Sequence, residues 1–131
     1  MNHNSPKTER LWRPIGLAEF RLLEASGMRE WPPRLPEQPI FYPVLNREYA
    51  AEIAQKWNTK DELSGYVGIV TEFDIDAEYA TQFDRKVVGA GRHEELWVPA
   101  EVLDEFNANI VGKIRVVEVF YGDDYEGQVI E

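Results

Sequence analysis

The stretch His93-Glu94-Glu95-Leu96-Trp97-Val98-Pro99 decides how the chain is read, because its residues alternate in character. Successive side chains of an extended strand point to opposite faces. Leu96 and Val98 are natural core residues, and Glu94 shares their face. His93, Glu95 and Trp97 then fall together on the other face. A carboxylate beside an imidazole and an indole suits a ligand-facing surface. It equally suits the solvated side of a half-exposed strand. Pro99 fits a first helical position, and Glu101 favours the positive start of a helix. That helix is expected to bury Val102, Leu103 and Phe106.

Working outward, residues 66–75 form the clearest strand, with Val67, Ile69, Phe73 and Ile75 on one face. Asp76 caps a short helix carrying Tyr79 and Phe83, and Val87-Val88 forms a brief strand before a Gly89-Ala90-Gly91 turn. Further upstream, Leu11-Trp12-Arg13 reads as a short first strand. Residues 16–26 read as a helix with Leu17, Phe20 and Leu23 on one side and Gly27 as its stop. Pro32, Pro33, Pro36 and Pro39 make 28–39 an extended surface loop. Ile40-Phe41-Tyr42-Pro43-Val44 is a short aromatic strand, ended or placed at an edge by Pro43. Asn46 caps a helix to about Trp57, whose stripe is Tyr49, Ile53 and Trp57. Residues 114–121 give the last strand.

The order is β-α-β-α-β-α-β-β-α-β, without a dinucleotide-binding glycine fingerprint. The expected class is α+β, a mixed and largely antiparallel sheet with short helices packed on it. The expected organisation is a flexible N-terminal tail at 1–9, one domain at 10–122 and an acidic C-terminal tail at 123–131.

Composition narrows the function classes. The 131 residues suit one domain, and 44% apolar with 12% aromatic content argues against disorder. No cysteine is present, which excludes disulfides, cysteine zinc sites and thiol nucleophiles. It also fits a reducing, cytoplasmic compartment. His93 is the only internal histidine, so the sequence offers no recognisable metal site. No apolar run is long enough to span a membrane as a helix. The net charge of −10 lies wholly in the second half. Residues 1–65 carry nine basic and nine acidic side chains, and 66–131 carry five and fifteen. Such a surface repels a phosphate backbone and argues against general nucleic-acid binding. A small anion held by an arginine of the balanced half remains compatible with it.

Arg13 is one such arginine, since a guanidinium offers a planar fork to phosphate or carboxylate. It also suits an ordinary ion pair. Phe41 and Tyr42 can stack on an aromatic ring or pack in the core. The proline-rich segment around Arg34 reads as a structured loop or a flap over a ligand.

The run 93–99 resembles the E/Q-x-E strand of the ADP-ribosyltransferase fold. There a catalytic glutamate is followed by apolar residues and often a proline. Glu95 falls at that position, before Leu96, Trp97, Val98 and Pro99. Arg13, in Leu11-Trp12-Arg13-Pro14, matches the arginine of the family's first strand. Phe41-Tyr42-Pro43 stands where the family's Ser-Thr-Ser motif is expected, and His93 where Glu or Gln usually selects the acceptor. From about residue 10 to 121 the chain also resembles short bacterial proteins labelled "ADP-ribosylation/crystallin J1". Crystallin J1 relatives are all-helical hydrolases that bind magnesium through aspartates, and this chain is too short and strand-rich to resemble them.

The resemblance implies NAD as substrate, with ADP-ribose passed to an unknown protein acceptor or NAD simply cleaved. It implies Glu95 and His93 as catalytic residues, and Arg13, Tyr42, Phe41 and Trp97 as cofactor-binding ones. It implies no metal. The alternatives are a non-enzymatic acidic module of antitoxin or immunity type, or a degenerate nucleotide-binding domain.

Overall fold

The structure is a computed structural model and describes residues 7–89 and 93–130. In chain order its elements are β1 (Thr8–Ile15), α1 (Leu17–Ala25), β2 (Ile40–Phe41), α2 (Arg47–Lys56) and β3 (Val67–Asp76). Then come α3 (Ala77–Ala80), β4 (Asp84–Val87), β5 (Glu94–Pro99), α4 (Leu103–Ala108) and β6 (Ile110–Tyr121). Short 3-10 turns cover Asn58–Lys60, Glu62–Ser64 and Ala100–Val102. The architecture is α+β, with small helices packed on antiparallel sheets.

Among the described residues the strands form two three-stranded sheets, in the orders β1-β3-β6 and β2-β5-β4. Val44 joins them. It bridges Trp12 of β1 on one side and Glu95 of β5 on the other. Its N–H donates to the Trp12 carbonyl at 2.7 Å, and the Trp12 N–H donates back at 3.0 Å. The Val44–Glu95 pairing keeps the register of Phe41 with Val98. Pro43, lacking an N–H, interrupts β2 without ending its course. Its carbonyl still accepts from Leu96 N–H at 2.9 Å.

The main core lies on one face of β1-β3-β6. Leu11 and Ile15 of β1, Val67, Ile69, Phe73 and Ile75 of β3, and Ile114 of β6 meet Phe41, Leu96 and Val98 of the other sheet there. Phe20 and Leu23 of α1 and Leu103 and Phe106 of α4 close it. On the opposite face Val70 packs under Tyr49, Ala50 and Ala54 of α2, beside Val44. This second covering explains why Val67 to Thr71 are buried without a break.

Several boundaries and faces differ from the expectations. Thr8 and Glu9, assigned above to the tail, pair with Asp76 and Ile75 in β1. Residues 1–6, Ala90 and Gly91 of the expected glycine turn, and Glu131 lie outside the described residues. Tyr125 and Ile130, in the expected acidic tail, pack on the core. Pro99 ends β5, and its place at a helix start is taken by a 3-10 turn, so α4 begins only at Leu103. Val102 is half-buried rather than enclosed. The stripe of α2 runs through Tyr49, Ala50 and Ala54, while Ile53 is partly buried and Trp57 is 67% exposed. The cause is closeness. A Cβ on Gly68 would stand 2.3 Å from the Ala54 carbonyl oxygen, so β3 and α2 meet at their smallest residues. A tryptophan cannot share such an interface.

The proline-rich segment is anchored as well as extended. Trp31 is 1% exposed and packs on Phe41 and Phe73 at centroid distances of 5.6 and 5.4 Å. Asn107 of α4 clamps it from both sides, accepting from its N–H at 2.9 Å and donating to its carbonyl at 3.0 Å. The loop therefore leaves α1 along a fixed path and returns to β2 beside the end of β1.

Candidate functional site

That path makes one wall of a cleft of about 590 Å³. Pro32, Pro33, Arg34 and Leu35 line it from the loop, Arg13 and Ile15 from β1, and Glu95 from β5. Ala18, Glu19 and Leu22 of α1 and Ile53 and Trp57 at the end of α2 complete its sides with Asn58, Asp61 and Ser64. Gly16 lets these walls converge, because a Cβ there would sit 2.5 Å from the Ser64 Cα.

Glu95 is 8% exposed, and both of its carboxylate oxygens accept hydrogen bonds. Tyr49 Oη donates to Oε2 at 2.8 Å, and Trp97 Nε1 donates to Oε1 at 3.0 Å. Two donors on separate elements fix the carboxylate plane. Burial, followed by the hydrogen bond to Glu95, pushes the Tyr49 phenol up to about 12. His93 stacks on the other side of this contact, 4.3 Å from the Tyr49 ring and 9° from parallel. Its Nε2 lies 3.1 Å from Glu52 Oε1, and Lys56 donates to the second Glu52 oxygen. The chain Lys56, Glu52, His93, Tyr49 therefore supports Glu95 from behind.

At the cleft's cationic side, Arg13 falls on the buried face of β1 with Leu11 and Ile15. Its fork is engaged bidentately by Glu19, with Nε–Oε2 at 2.7 Å and Nη2–Oε1 at 3.0 Å. The guanidinium lies 4.8 Å from the Phe41 centroid and 5.8 Å from that of Trp31. Arg34 approaches the Phe41 ring at 6.0 Å. Desolvation first, and then the neighbouring Arg13 charge, lower its pKa from the usual arginine value. It has no hydrogen-bond or ion-pair partner among the described residues, and its Nε is buried. A third cluster joins Asn58 Nδ2 to Ser64 Oγ at 2.9 Å and Ser64 Oγ to Asp61 Oδ2 at 2.7 Å. Asn58 Oδ1 is buried with no partner among the described residues.

Of the residues singled out by sequence, Arg13, Tyr42 and Glu95 line this one cleft. Phe41, His93 and Trp97 do not. Phe41 is a core platform beneath two guanidiniums, Trp97 orients Glu95, and His93 braces Tyr49. Arg34, Glu19, Tyr49 and Asn58 were not singled out for the site. Arg34 had only the flap-like loop as a signal, and the others look like ordinary helix residues in sequence. The described residues contain no group of three or more histidines and carboxylates placed to hold a metal ion. None of their helices is long and apolar enough to cross a membrane.

Comparison with protein-family models, curated proteins and solved structures finds no match to this chain.

Proposed function

We propose that the cleft binds NAD or a related nucleotide and that the protein transfers ADP-ribose to an acceptor or to water. The observation that carries this reading is the convergence of Arg13, Tyr42 and Glu95 on one cleft. The pyrophosphate lies toward the arginines, and Tyr42, 43% exposed, offers its ring to the nicotinamide or its ribose. The glycosidic bond from the ribose anomeric carbon to the nicotinamide nitrogen breaks, and its electron pair leaves with nicotinamide. Glu95 faces the oxocarbenium ion that develops. An acceptor oxygen then bonds to that carbon and gives up its proton. A carboxylate held in place beforehand stabilises the transition state more than the ground state. His93 acts at one remove, through Tyr49, rather than on the acceptor.

The test is nicotinamide release from NAD by the parent chain and by Glu95→Gln. We expect a loss of roughly 10²–10³-fold in the variant, the usual range for one preorganised electrostatic group. No NAD binding at millimolar ligand, or unchanged turnover in a folded Glu95→Gln protein, would sink the reading.

A second reading, a protein-binding module, draws on the exposed Leu22, Leu35, Trp57 and Leu63 around the mouth of the cleft. Salt-sensitive capture of a basic partner, without nicotinamide release, would favour it.

A further inference from the structure

We infer that Arg34 and Asn58 are the recognition pair of the cleft, with Arg34 holding a phosphate and Asn58 Oδ1 accepting from a sugar hydroxyl of the same ligand. The inference rests on reading the cleft as a nucleotide site and names the part of the nucleotide that is gripped. Three buried side-chain polar atoms lack a partner among the described residues, namely Trp31 Nε1, Arg34 Nε and Asn58 Oδ1. Trp31 is sealed in the core, but Arg34 and Asn58 both line the cleft. A buried polar group without a partner is costly, so native structures leave few of them. Here one is a donor on a cation and the other a neutral acceptor. A ligand that satisfies both carries an anion and a hydroxyl, which is the chemistry of a phosphorylated sugar.

Arg13 is the weaker candidate for the anion. Glu19 already occupies two of its nitrogens in a bidentate pair. Arg34 is crowded by the Arg13 charge and has no carboxylate hydrogen-bonded to it among the described residues. A bound phosphate would relieve that repulsion and satisfy the Nε–H together. Asn58 is held for its task by its own amide, which donates to Ser64 and so turns Oδ1 away from that bond. Ser64 in turn donates to Asp61.

The test is equilibrium titration of the full chain with ADP-ribose and with inorganic pyrophosphate. Arg34→Met should weaken both by about tenfold or more, as expected for loss of a charge-assisted hydrogen bond. Asn58→Ala should weaken ADP-ribose several-fold and leave pyrophosphate unchanged, because only ADP-ribose carries the hydroxyl. Ser64→Ala, which frees the Asn58 amide but keeps Oδ1, should weaken ADP-ribose less than Asn58→Ala does and leave pyrophosphate unchanged. Should Asn58→Ala fail to fold, the Arg34 arm decides alone. Parent-like ADP-ribose affinity in Arg34→Met would overturn the inference, as would failure of the parent chain to bind either probe. Loss of both probes in Arg34→Met, with NAD turnover absent or indifferent to Glu95→Gln, supports this pair while removing the transfer chemistry. Turnover that depends on Glu95 but keeps its parent KM in Arg34→Met removes this pair alone.

Discussion

Glu95 owes its orientation to two donors, and removing either one exposes what that arrangement is worth. Tyr49→Phe keeps the ring that stacks on His93 and deletes only the hydroxyl on Glu95 Oε2. A lost hydrogen bond to a buried charged group costs about 1.5–3 kcal/mol. We expect a fall of that size in chemical denaturation, seen in the midpoint with an unchanged slope. The same variant should change the alkaline limb. The Tyr49 phenol is raised from its usual value to about 12 in the fold, so the folded state holds its proton where the unfolded chain has lost it. Stability from this group is complete below about pH 10 and falls as pH rises toward 12. Tyr49→Phe should therefore lose less stability than the parent between pH 10 and 12. An identical alkaline decline in both proteins would show that Tyr49 is not the titrating group. Strand alternation put Glu95 on the face opposite Leu96 and Val98, whereas the choice of Glu95 over Glu94 rested on the resemblance of 93–99 to an E/Q-x-E strand. The free Nε of Arg34 was not legible in sequence. Whether a guanidinium has a partner depends on which carboxylates the fold brings near, and Glu19 turned to Arg13.

At the scale of elements, α2 separates what local chemistry sets from what packing sets. Its start was readable, since Asn46 Oδ1 accepts from Tyr49 N–H at 2.7 Å as an N-cap should. Asn46→Ala should cost about 1 kcal/mol. Its buried face was misread because tyrosine, isoleucine and tryptophan at four-residue spacing outweigh alanines in any hydrophobic pattern. Close approach reverses that ranking when the facing strand carries Gly68. Trp57→Ala should then change stability by no more than about 0.5 kcal/mol, the usual range for exposed positions. Gly68→Ala should cost several times that, since its methyl would meet the Ala54 backbone rather than a flexible side chain. Thermal or denaturant melts of the two variants check the contrast, and comparable losses from both would contradict the assigned face. Trp31 shows the same limit from the other direction. Its neighbours Pro32 and Pro33 mark a loop, and nothing local reveals that the loop's tryptophan is enclosed by Phe41 and Phe73.

The whole molecule depends on whether its two sheets are one folding unit. They share the main core, where Leu11, Ile15 and Phe73 meet Phe41, Leu96 and Val98. They also share Val44, which is 1% exposed and hydrogen-bonded to β1 while bridging β5. The apolar faces of both sheets meet in that one core cluster, so neither buries its core without the other. The order of elements was legible, but this junction was not. Pro43 marked either the end of a strand or an edge strand; β2 does stand at the edge of β2-β5-β4, but the Pro43 carbonyl and the Val44 bridges carry the pairing past it. Val44→Ala removes a side chain packed on Val70 and α2 at the junction of the sheets and should cost about 2 kcal/mol. Because the loss falls on the junction, we expect one cooperative transition in parent and variant alike, with Tm lower in the variant. Far-UV circular dichroism, near-UV circular dichroism and tryptophan fluorescence should trace coincident curves. The tryptophans make the comparison sharp, since Trp12 reports on β1-β3-β6, Trp97 on β2-β5-β4 and Trp31 on the shared core. Separate transitions would mean that the sheets hold together independently. The cleft between Arg13 of one sheet and Glu95 of the other would then be a hinge between parts, not a site preorganised by a single core.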